Sequence, residues 1–154
     1  MFIETAQPKS PELNARFRAF ISYSHRDKIL AAWLHRRLET FDIPRKLVGV
    51  ATPIGPVPRR LTPIFRDRDD LPAASDLGST IEEALANSQF LLVICSPASA
   101  KSPWVDREIA TFKQMHGEDR ILALIVAGNP YASNNPDQAH EECFPPSLRF
   151  KLID

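Results

Sequence analysis

The chain has 154 residues, enough for one domain that buries roughly two thirds of its unfolded surface. Its 44% hydrophobic and 25% charged residues are the balance of an ordinary globular protein, and a formal net charge of zero argues against nucleic acid or an anionic membrane as partner. No apolar run reaches the length of a membrane span, residues 1–16 lack the apolar core of a signal peptide, and two distant cysteines give neither a disulfide framework nor a metal-type spacing; a reducing cytoplasm is the expected compartment.

Residues 1–16 read as a flexible N-terminal segment and residues 17–154 as one domain, expected to be the N-terminal part of a longer protein. Arg18 to Ser22 reads as a short buried strand, bounded by the polar run Tyr23-Ser24-His25-Arg26-Asp27. Asp27 is expected to cap a helix from Lys28 to Phe41, whose residues Ile29, Leu30, Trp33, Leu34, Leu38 and Phe41 recur at helical period as one apolar face. Pro44 stops that helix. Five prolines and two glycines between Pro44 and Pro63 then predict a long loop.

Ile64-Phe65 reads as the heart of a second strand, placed at a sheet edge because Pro63 cannot donate to a ladder. Ser75 or Asp76 caps a helix to about Asn87, with Leu77, Ile81, Ala84 and Leu85 inward. Gln89 to Cys95 reads as the clearest strand, and its unbroken apolar run from Phe90 is that of a strand buried on both faces. Ser102 and Pro103 are suited to open a helix that runs to about Met115 and ends at Gly117. Arg120 to Ala127 reads as another buried strand, broken by Gly128-Asn129-Pro130. Residues 147–154 are a short strand, a helix or a connection.

This alternation predicts an α/β fold with right-handed crossovers: a parallel sheet in the order 2-1-3-4, with room for a fifth strand, and helices on both faces. In such sheets a ligand sits beyond the carboxyl ends of the strands where the order reverses. That rule selects the loop after strand one, with Ser22, Tyr23, Ser24, His25 and Arg26, and the loop after strand three, with Ser96 and Pro97 leading to Trp104 and Glu108. No glycine-rich phosphate turn follows strand one, so neither the dinucleotide fingerprint nor the P-loop is present.

Trp104 and Glu108 stand four residues apart, which places an indole and a carboxylate on one helix face. An aromatic plate beside an acid can hold a flat ring and act on the sugar attached to it. A packed indole with a solvated acid beside it is the simpler account of the same spacing. Cys95 reads as core, and so does Trp33.

These residues resemble a TIR (Toll/interleukin-1 receptor) domain of the bacterial, NAD+-cleaving type. Phe20-Ile21-Ser22-Tyr23-Ser24 is similar to the family's first box, and Phe65-Arg66-Asp67-Arg68-Asp69-Asp70-Leu71 to the segment entering its BB loop. Leu91 to Pro97, then Ser102-Pro103-Trp104 and Glu108, resemble its third strand and the sequel. The matches run in order across roughly residues 17–127; the Pro-rich insert from Pro44 to Pro63 departs from shorter members.

The resemblance implies a flavodoxin-like fold and cleavage of NAD+ at the nicotinamide–ribose bond, to ADP-ribose or a cyclised isomer, with Glu108 as the catalytic acid. It also implies self-association with other TIR domains and a place in bacterial antiphage defence or signalling. NAD+ is then substrate, with no cofactor or metal expected. Trp104 stacks either on the departing ring or on adenine. Tyr23, Ser24, His25, Arg26, Arg66 and Ser96 are the further substrate-binding candidates; turn and capping chemistry accounts equally well for Ser24, and loop charge solvated and paired with Asp67 and Asp69 is the simpler account of Arg66. Glu108→Ala is expected to abolish NAD+ loss at a nearly unchanged melting temperature. The alternative is a non-catalytic TIR–TIR interaction module.

Overall fold

A computed structural model describes residues 16–66 and 77–150. Strand β1 (Phe17–Ser22) leads through a single 3-10 turn (His25–Asp27) into helix α1 (Lys28–Glu39). Within the Pro-rich stretch, two-residue strands β2 (Ala51–Thr52) and β3 (Gly55–Pro56) pair antiparallel as a small hairpin where the sequence predicts only loop. Strand β4 (Ile64–Arg66), helix α2 (Leu77–Ala86) and strand β5 (Ser88–Cys95) follow. A short helix α3 (Pro97–Ala100) precedes helix α4 (Pro103–His116), strand β6 (Ile121–Ile125) and, after two 3-10 turns, helix α5 (Pro146–Arg149).

The main sheet has the order β4-β1-β5-β6, and every pairing is parallel. With the hairpin set aside, this is the expected 2-1-3-4 arrangement. No fifth strand joins this sheet among the described residues. β4 lies at the edge, where Pro63 still accepts from the Arg18 amide but has no N–H to donate.

Alternation along the central strands supplies apolar side chains to both faces. Phe20, Leu91, Val93 and Cys95 face α2 and α4, where they meet Ile81, Ala84, Leu85, Val105, Ile109 and Phe112. Ile21, Tyr23, Ile94 and Ile64 form the opposite core, against Leu30, Ala31, Leu34 and Leu38 of α1. Helix α4 is held from behind as well. Lys113 donates to the carbonyls of Ser147 and Phe150 and pairs with Glu118, and Asp106 accepts from the Ser147 amide at 2.7 Å.

Three local expectations are corrected. The inward face of α1 is Leu30, Ala31, Leu34 and Leu38; Ile29, Trp33 and Phe41 are exposed, because Ile29 and Trp33 lie about 100° around the helix from that stripe and Phe41 lies past its end. Trp33 is therefore no core residue; the Arg37 guanidinium lies 5.7 Å from its ring centre. Asp27 precedes α1 but gives it no side-chain cap, since its carboxylate is engaged elsewhere. Finally, β6 is not buried: Leu122, Leu124 and Ile125 stay exposed at the outer edge of the sheet. Between the hairpin and the sheet lies an apolar groove of about 340 Å³, lined in part by Leu38, Ile54, Val57, Leu61, Leu92 and Leu122.

Candidate active site

The sheet order reverses between β1 and β5, whose loops leave toward opposite faces: β1 feeds α1, and β5 feeds α3 and α4. The polypeptide between β5 and α4 is built by two caps. Ser96 accepts from the Ser99 amide while Ser99 accepts from the Ser96 amide, a reciprocal box that opens α3. Ser102 then accepts from the Val105 amide at 3.3 Å and, with Pro103 in the first turn, starts α4 as the sequence predicts.

Helical spacing brings Trp104 and Glu108 to one cleft between α2 and α4, lined also by Gly78, Ile81, Leu85 and Thr111. Trp104 is 38% exposed and Glu108 only 3%. The Glu108 carboxylate turns inward, and its Oε1 accepts a hydrogen bond from the Ser22 hydroxyl at 2.9 Å. The solvated acid of the simpler account is thus not what this chain builds. The cleft has a volume of about 30 Å³ and opens to solvent beside the exposed Trp104.

The other candidates scatter. Tyr23 is buried in the α1-side core, one residue on from Ser22 and so on the opposite face of the strand. Ser24 caps the 3-10 turn by accepting from the Arg26 amide at 3.4 Å, and His25 and Arg26 are exposed on that turn. Arg66 ends β4 in register with Ile21, and is half-buried. Ser96 is buried, and its hydroxyl donates to Asp27 Oδ2 at 2.6 Å. The structure therefore joins Trp104 with Glu108, and Ser96 with Asp27, but does not gather Tyr23 into the cleft. Asp67 to Asp76, which include most of the segment likened to the BB loop and both proposed caps of α2, lie outside the described residues.

The sequence places Ser22 in the loop after strand one and Asp27 at a helix start, without marking either as a substrate-binding residue. Ser22 carried a signal: period-two alternation sets it on the side of Phe20, where an apolar side chain is the norm, and a buried hydroxyl there needs a partner. Cys95 is core, with its thiol pushed up to about 12 by burial first and by the Cys143 thiol second, so it is protonated at neutral pH. Among the described residues no His, Cys, Asp or Glu cluster is arranged to hold a metal ion, and no helix is long and apolar enough to cross a membrane.

The buried position of Glu108 revises one expectation. Glu108→Ala would strip the Ser22 hydroxyl of its acceptor, which costs about 1–3 kcal/mol. Glu108→Gln, which keeps an oxygen for Ser22, separates chemistry from stability more cleanly.

The TIR domain family matches residues 19–144. The chain is also similar to the NAD(+) hydrolase ApTIR of Actinoplanes sp., at 34% identity over 138 residues, or 87% of this chain. It spans 18% of that relative's length. A four-stranded parallel sheet in the order β4-β1-β5-β6, flanked by helices on both faces, and a family match across most of its length establish that this chain belongs to the TIR domain family.

Proposed function

We propose that the chain cleaves NAD+ at the nicotinamide–ribose bond, with Glu108 as the carboxylate that stabilises the ribosyl cation and Trp104 as the aromatic plate beside it. The observation that carries this reading is a buried carboxylate one helical turn from an accessible indole, in one cleft near the carboxyl ends of β1 and β5. The similarity to an NAD(+) hydrolase supports the choice of substrate.

The chemistry needs little else. As the C1′–N bond breaks, its electron pair passes to the pyridine nitrogen, so nicotinamide leaves neutral and no general acid is required. The ribose passes through an oxocarbenium-like state. One carboxylate near it suffices, unlike the paired carboxylates of ordinary glycosidases. A negative charge held in a largely water-excluded site stabilises that cation more than it would in bulk solvent. Water then adds to C1′, releasing a proton and ADP-ribose; attack by the adenine of the same molecule gives a cyclic isomer instead.

Self-association as the activating step is part of the proposal. Helix α1 offers apolar surface for packing against a second copy: Ile29 is 81% and Trp33 55% exposed, four residues apart on one face. That same stripe favours the second reading, a non-catalytic module that recruits other TIR domains. We place either role in the cytoplasm, in bacterial defence or signalling; two free, buried cysteines suit a reducing compartment.

Mass spectrometry of NAD+ incubated with the protein over a range of concentrations separates the two. Nicotinamide release that rises more steeply than concentration is expected. NAD+ left intact even in concentrated or crowded samples would leave the interaction module.

A further inference from the structure

The carboxyl end of β1 places a hydroxyl where the fold otherwise places hydrocarbon. Ser22 is fully buried, aligned with Val93 of β5, and on the strand face that Phe20 shares with Val105, Ile109 and Phe112 of α4. Polar groups in such surroundings are costly unless they meet. Ser22 and Glu108, 86 residues apart, meet at 2.9 Å, with the hydroxyl donating to Oε1. The two anchors are stiff: β1 is a central strand, and α4 is seated by Val105, Ile109 and Phe112 around Glu108.

We propose that Ser22 is a positioning residue for the reaction, holding the Glu108 carboxylate in one rotamer so that it is presented to the ribose without rearrangement. The role rests on the reading of Glu108 as the group that stabilises the ribosyl cation. A glutamate side chain has three rotatable bonds, and a carboxylate displaced by about 1 Å from a developing charge loses on the order of 10²-fold in rate. Ser22 does not touch substrate in this account. It acts only through Glu108, so its loss lowers the rate of the chemical step and leaves substrate affinity alone. Tyr23, the next residue along, faces the other core and takes no part.

The test compares the full chain with Ser22→Ala, Ser22→Thr and Ser22→Cys, each measured for nicotinamide release and for melting temperature. Ser22→Ala is expected to lower kcat about 10- to 100-fold with KM for NAD+ within about twofold of the parent. Ser22→Thr restores the hydroxyl and is expected to recover most of kcat. Ser22→Cys, nearly the same size with a weaker donor, falls between, and it carries the test where Ser22→Ala does not fold. A purely structural serine predicts something else: a lower melting temperature, with kcat per folded molecule unchanged in every variant. Parent activity together with undiminished kcat in Ser22→Ala, or in Ser22→Cys where that variant stands in, overturns the positioning role and leaves the Glu108 reading intact. A parent chain inert toward NAD+ at every concentration overturns that reading, and this role with it.

Discussion

Ser96 donates its hydroxyl to the Asp27 carboxylate at 2.6 Å, joining the loop after β5 to the turn after β1 across the point where the sheet order reverses. The same oxygen accepts from the Ser99 amide and caps α3. Ser96→Ala therefore removes a cap and a charge-assisted hydrogen bond together. It is expected to destabilise the fold by about 1–3 kcal/mol, read as a lower midpoint in urea unfolding. Asp27→Asn, which keeps an acceptor, should cost less.

Glu108→Gln preserves shape and an oxygen for Ser22 while removing the charge. Nicotinamide release is expected to fall by at least about 10²-fold, the scale on which a single electrostatic stabiliser acts. Near-ultraviolet circular dichroism should stay that of the parent. Turnover that persists in this variant would remove Glu108 from the chemistry.

At Trp104, 38% exposed on the lip of the cleft, truncation tests stacking rather than folding. Trp104→Ala is expected to raise KM for NAD+ on the order of tenfold, in keeping with about 1 kcal/mol or slightly more from ring stacking. Trp104→Phe keeps a π-face and should lie nearer the parent. Equal KM values in all three proteins would assign the indole to the surface.

His116 makes stability depend on pH. Its Nε2 donates to the Leu85 carbonyl at 3.0 Å, and its Nδ1 accepts from Arg120 at 3.0 Å, so the neutral ring satisfies both neighbours. Burial first, and the Arg120 charge after it, hold its folded pKa below the usual 6.5 despite an opposing hydrogen bond to Leu85. The unfolded chain then binds the proton more readily. This contribution is fully present above pH 6.5 and is lost as pH falls through that value and on past the folded one. Thermal unfolding followed from pH 8 to 5 should show a falling midpoint, with a shallower slope in His116→Gln.

Gly128 has a φ of 79°, and a Cβ there would collide with the Glu141 carbonyl and come within 3.1 Å of both Cys143 Cβ and Pro97 Cγ. Gly128→Ala combines left-handed strain of about 1–2 kcal/mol with a backbone clash that has no flexible side chain to yield. Differential scanning calorimetry should record a loss of about 2 kcal/mol or more.

Much of the fold was legible because its signals are local. Phe90 to Cys95 announces a strand buried on both faces, and it is the central β5. Ser102, Pro103 and Gly117 mark the ends of α4 within a residue. Pro63 points to an edge, and β4 is one. Where such signals misled, the cause was equally physical. Helical period alone cannot choose between two adjoining apolar stripes on α1, and only the sheet it packs on selected Leu30, Leu34 and Leu38 over Ile29 and Trp33. The hairpin within residues 44–63 was hidden because two-residue strands carry no period.

The four-residue spacing of Trp104 and Glu108, the caps that open their helix, and the alternation that makes a parallel sheet were all determined by the chain itself, since each depends on residues within a turn or a pleat of one another. Tertiary structure alone decided that Glu108 faces inward onto Ser22 and that Asp27 answers Ser96 instead of capping α1. Those contacts join residues 86 and 69 positions apart. They exist because parallel crossovers return distant segments to neighbouring strand ends, and no local period encodes which side chains then come within hydrogen-bonding reach.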